Sequence, residues 1–324
     1  MRVIALLAAL CLAASTAIAR DIVAAGTQFR FATAAQTRQA LVTDDEWMAA
    51  AGAFQRAATV GRRGPVTTQA FKAFLASTAV DCPPEDIQRW SAAIGTVAAR
   101  FEELKLHLPA TVGISCTNGA DASGAPYTRG DTVFLPRGLK VGNDALLMAH
   151  ELFHIWSRRN PGRADQLYAL LGFTPAPPLA WPAEWRELRI ANPDAPLDRH
   201  AIRIDTPDGV LRVMPLLVAR RTDIQPGESF FSVMDVRLLA VETAPDGRSS
   251  IPQRRDGQLV WFDADRSESY LRQLGGNTRY TIHPEEAAAD NVAFLVSGRP
   301  VANQLLLDRF RQVLLASSPE KRTP

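Results

Sequence analysis

Apolar residues recur at Ile87, Trp90, Ile94, Val97, Phe101, Leu104 and Leu108, the three-four alternation of one helix face, so residues 83–108 read as an amphipathic helix. It opens at Pro83-Pro84, where a missing amide hydrogen is tolerated, and Pro109 follows its end. Residues 44–60 and 67–78 also carry helical patterns, so residues 20–110 read as a helical N-terminal subdomain. The texture then changes. Residues 111–117 and 132–135 are short β-branched or apolar runs separated by a Gly/Ser/Asp-rich loop at 118–130, which predicts two strands. Asn143 or Asp144 caps a further helix through Leu146, Met148, Leu152, Phe153 and Ile155, which must stop near Asn160 because Pro161 disfavours helical geometry in its predecessor. A proline-rich connection at 175–182 leads into strands over 201–242, with a hairpin turning at Asp208-Gly209. Residues 264–274 are helical with Gly275-Gly276 as the stop, and Pro284 opens a last helical region. Helices, then strands, then helices make the expected fold class α+β.

Composition narrows the partners. With 36 Lys+Arg against 34 Asp+Glu, a net charge of +2 and basic residues in pairs rather than runs, nucleic acid is not an expected partner. At 324 residues and 47% apolar, the chain has enough to bury a sizeable core. Arg2, the apolar run 3–14 and the small residues of Ala17-Ile18-Ala19 read as a secretory signal peptide over residues 1–19. The run is too short to span a bilayer, so no stable membrane span is expected after cleavage and the protein is expected to be periplasmic or secreted. A lipid anchor at Cys11 is the minor alternative, weakened by Leu10 where such processing wants a small residue. Cys82 and Cys116 then remain in an oxidising compartment and invite one disulfide, with two separate buried thiols as the alternative.

The chemistry sits on the middle helix as His150-Glu151-Leu152-Phe153-His154. Histidines four apart project from one helix face and reach one metal ion, while the Glu beside the first lies close enough to hold a water. A catalytic zinc takes three protein ligands, so one more donor is needed. Asn160 stands where a third histidine of the metzincin pattern would be. Glu286-Ala287-Ala288-Ala289-Asp290 instead offers a Glu with an acid four residues on, both on one helix face and separated by alanines that allow close approach. Glu285 is a rival, but Ala289 then stands where the supporting acid belongs. Asp165, in Gly162-Arg163-Ala164-Asp165-Gln166-Leu167-Tyr168, is another, read as a surface or helix-start aspartate; Glu184 and Glu187 read as solvated, and His107 and His200 as surface or packing residues.

On these two stretches the sequence resembles an HExxH zinc metallopeptidase of gluzincin type. The resemblance implies a zincin-like catalytic domain over 111–324, with a β-rich insertion at about 176–262, since the gap from His154 to Glu286 is much longer than in thermolysin-like enzymes. It implies one zinc per chain on His150, His154 and Glu286, Asp290 supporting His150, Glu151 as general base, and a peptide or protein substrate. His283 and Tyr280, just ahead of the Glu286 helix, are the candidate oxyanion donors. Residues 132–135 are the candidate edge strand for an extended peptide. The expected function is that of an exported zinc-dependent metallopeptidase; hydrolysis of another amide or ester, such as a cell-wall component, and a non-catalytic binding protein of the same fold are the alternatives.

Overall fold

The computed structural model describes residues 21–223, 228 and 230–316, and the signal peptide expected over residues 1–19 lies outside them. The chain opens with strands β1 (Asp21–Ala24) and β2 (Thr27–Phe31), an antiparallel pair turning at Ala25-Gly26, both with positive φ. Helices α1 (Ala34–Leu41), α2 (Glu46–Ala50), α3 (Ala53–Val60) and α4 (Thr68–Thr78) follow. Thr33, Asp45 and Thr67 cap α1, α2 and α4 with their side-chain oxygens. After β3 (Ala79–Val80) comes α5 (Pro84–Glu103). This helix is shorter than its apolar pattern predicts: Lys105 takes a left-handed φ of 58°, the Leu106 N–H turns back to Phe101 O, and Leu106 enters the core from a loop.

Strands β4 (Thr111–Thr117), β5 (Tyr127–Arg129) and β6 (Thr132–Pro136) complete the first sheet, ordered β1-β2-β4-β6-β5 with β3 also on β4. Four elements of this sheet, β1, β2, β3 and β5, are missing from the sequence reading, and residues 21–110 supply three of them. β2, β4 and β6 run parallel, while β5 is antiparallel to β6. Residues 132–135 are therefore an inner strand, and β5, two residues before them, is the edge; this corrects the expected edge. Val112, Ile114, Val133 and Leu135 face the main core with Trp90, Ile94, Val97 and Phe101 of α5. Phe134 points the other way, joining Trp47, Phe71, Leu75 and Tyr127. Cys82 and Cys116 lie at disulfide distance, with Sγ–Sγ 2.05 Å and Cα–Cα 5.1 Å, beside the β3–β4 pairing.

Helix α6 (Asp144–Arg159), capped by Asn143, carries the histidine motif, and α7 (Pro161–Leu170) starts at once with Pro161 in its first turn. A second antiparallel sheet then fills residues 173–263. Its strands are β7 (Phe173–Pro175), β8 (His200–Thr206), β9 (Gly209–Ala219), β10 (Met234–Thr243) and β11 (Ser250–Pro252), in order β11-β10-β9-β8-β7. The short α8 (Ala183–Arg186) lies between β7 and β8, a small ribbon of β12 (Arg254–Arg255) and β13 (Gln258–Leu259) follows β11, and β14 (Trp261–Asp263) pairs with β10. Alternation explains the long apolar runs: Val213, Leu238 and Ala240 join the main core, while Met214, Leu216, Val218 and Leu239 pack with Trp185 on the opposite face. Helices α9 (Glu268–Gln273), α10 (Pro284–Ser297) and α11 (Gln304–Leu315) end the described chain. α10 lies along α6, and its Ala287, Ala288 and Ala289 are fully buried. The molecule is thus a mixed α/β structure consistent with the α+β class. Among the described residues no helix is long and apolar enough to cross a membrane.

Candidate metal centre

Two helices build the site. α6 sets His150 and His154 one turn apart, their rings edge-on at 4.7 Å between centroids. α10, begun by Pro284 and capped by His283, brings Glu285, Glu286 and Asp290 against them. The alanines between Glu286 and Asp290 allow that approach. Glu286 Oε2 lies 3.2 Å from His150 Nε2 and 3.5 Å from His154 Nε2.

The other ring nitrogens fix the tautomers. His150 Nδ1 donates to Asp290 Oδ1 at 2.9 Å, and Thr278 Oγ1 donates to the second Asp290 oxygen. His154 Nδ1 donates to Glu285 Oε1 at 2.7 Å, and Glu285 also accepts from the Ser157 and Tyr168 hydroxyls. Each imidazole therefore turns its Nε2 toward Glu286. Glu285 is engaged with the outer nitrogen of His154, the counterpart of Asp290 on His150. Sequence reasoning weighed it only as a rival donor; the signal was two adjacent acids facing two histidines.

Among the described residues, two groups bring three metal-competent atoms within 4.8 Å of one another: His150, His154 and Glu286, and Glu151, His154 and Asp194. Asp165 is in neither, its Oδ1 being paired with His200 Nε2 at 2.8 Å. Glu184 and Glu187 are exposed on and just after α8, and Glu184 pairs with Arg254 at 2.8 Å. Tyr280 stacks on His150 with ring centroids 6.0 Å apart. His283 serves as the helix cap, its Nδ1 accepting from Glu285 N, and burial lowers its pKa to about 4.

Two members of the neighbourhood carry no sequence signal at all. Asn192 donates through Nδ2 to Glu286 Oε1, and Asp194 stands beside Glu151 and His154. Both come from the loop before β8, and neither belongs to a recognisable pattern. Asp194 Oδ1 accepts from Thr128 N at 2.7 Å and Thr128 Oγ1 at 2.8 Å, and Arg158 donates to Thr128 O. The outward-facing N–H and C=O of the β5 edge are thereby both taken.

The electrostatics favour a cation. Five carboxylates, of Glu151, Asp194, Glu285, Glu286 and Asp290, surround two imidazoles. Burial raises the Glu151 pKa to about 8, with the Asp194 charge adding to it. Burial opposes charge on His150, but the Asp290 and Glu286 hydrogen bonds outweigh it and lift its pKa to about 10. Burial likewise disfavours the Glu286 carboxylate, yet the two histidines hold it well below the usual range. His154 Nε2 and Glu151 Oε2 are buried with no hydrogen-bond partner, a costly state that a cation and a water between these residues would relieve. The donor set of two imidazoles and one carboxylate suits zinc. No protein-family model matches the chain, and no curated protein or solved structure is similar to it.

Proposed function

We propose that the chain is an exported zinc-dependent peptidase of gluzincin type, with His150, His154 and Glu286 as the residues that would hold one zinc. The observation that carries this reading is the convergence of two Nε2 atoms and one carboxylate oxygen beside the unpartnered Oε2 of Glu151. A divalent cation there would supply the Lewis acidity that polarises a scissile carbonyl and makes water a stronger acid. Glu151, beside the two histidines on α6, takes the proton of the attacking water and passes it to the leaving amine. Asp290 and Glu285 hold the outer nitrogens of the two imidazoles, so that each ring would present Nε2 to the cation. Tyr280, stacked on His150, offers a hydroxyl to the developing oxyanion. The test is elemental analysis of the purified protein together with hydrolysis of casein or a peptide library. About one zinc per chain and chelator-sensitive cleavage are expected; protein that takes up no zinc after chelation and re-addition sinks the proposal.

A further inference from the structure

We infer that residues 191–194 form a positioning clamp for Glu286, with Asn192 as the residue that aims its carboxylate; this rests on the metal reading above. Glu286 turns Oε2 to both histidines and leaves Oε1, which accepts from Asn192 Nδ2. A carboxylate held through one oxygen is free to swing about its last side-chain bond. A donor on the other oxygen fixes its plane, the outer-shell role that metal-site carboxylates commonly require.

Asn192 has little freedom to do anything else. Its Oδ1 accepts from Asp194 N at 3.1 Å, an Asx-type turn that sets the amide's orientation. The residue before it is gripped from outside the loop. Gln55 Nε2 donates to Ala191 O at 2.9 Å, Ala191 N donates to Gln55 Oε1 at 2.9 Å, and Trp47 Nε1 donates to the same Ala191 O at 3.0 Å. Gln55 and Trp47 are 4% and 5% exposed, and both polar ends of the buried Gln55 amide are spent on one loop residue. On the far side, Asp194 is bonded to Thr128 of β5. The loop is thus held by α2, α3 and the sheet edge, three elements remote from it in sequence, and its Asn192 side chain binds Glu286 of α10. The N-terminal helices thereby act on the third ligand of the site without touching it.

Competitive titration of zinc against a chelator, on the full chain, tests the clamp. Asn192→Ala should weaken zinc binding by roughly 10–100-fold. Gln55→Leu, which keeps Asn192 but releases the backbone beside it, should also weaken zinc. Leu239→Ala, in the apolar cluster around Trp185 on the face of the second sheet turned away from the main core, is the control for plain loss of stability: it should lower the melting temperature and leave zinc affinity unchanged. Circular dichroism confirms that each variant is folded. Asn192→Ala and Gln55→Leu binding zinc as tightly as the wild type would overturn the clamp and leave the metal site standing. Wild-type protein that binds no zinc would overturn the metal reading and the clamp with it.

Discussion

Glu285 and Glu286 are neighbours in sequence and do different work in space. One residue of helix turns a side chain by about 100°, so Glu286 points between the two Nε2 atoms while Glu285 reaches the outer nitrogen of His154. A direct ligand and its supports should separate in zinc titration. Glu286→Ala should strip the metal, Asp290→Ala and Glu285→Ala should each weaken it by about 10–100-fold, and Asp165→Ala should leave it unchanged. Glu285→Ala that strips the metal while Glu286→Ala retains it would exchange their roles. Proton transfer is separable from binding in the same way. Glu151→Gln should keep zinc and lose roughly 10²–10⁴-fold in turnover, whereas His150→Ala should lose both. The histidines and Glu151 were legible because their chemistry and their helical spacing are written in five consecutive residues. Asn192 and Asp194 were not, because a loop asparagine and aspartate look the same in sequence whether they face water or a carboxylate.

At the level of elements, the close seating of α10 on α6 sets the site's dimensions. Ala289, three residues on from Glu286 and so on the same face of α10, is buried without remainder, and a longer side chain there has to push the helices apart. Ala289→Leu should cost about 1–3 kcal/mol in denaturant unfolding, and it should weaken zinc as well, since the same shift moves Glu286. An unchanged midpoint would mean the interface is looser than described. Long periodic helices such as α5 and α6 were readable because many turns repeat one pattern. β1, β2, β3 and β5 were not: strands of two to five residues give too few alternations to declare a period, and their stability comes from the neighbour they pair with. β9 and β10 were recognisable as strands, although burial on both faces removes the usual alternation.

On the scale of the whole molecule, Cys82 and Cys116 tie the entry of α5 to the middle of the first sheet, closing a loop with a sequence separation of 34. Replacing both by serine should cost about 3–4 kcal/mol on the chain-entropy argument, and intact mass should place the oxidised chain about two hydrogens below the reduced one. Two freely alkylatable thiols in unreduced, unfolded protein would contradict the bond. The first sheet shares the main core with α5, α6, α10 and the inner face of the second sheet, an arrangement no local pattern announces because it joins residues from Phe29 to Leu314. The bonds that Asp194 and Arg158 make to Thr128 have a consequence beyond chemistry at the metal. An open strand edge is a template on which a second chain can lengthen the sheet, and many chains doing so in turn produce insoluble aggregates. On β5 the outward amide and carbonyl are spent on a carboxylate and a guanidinium of the same molecule, so this edge resists self-association in concentrated solution.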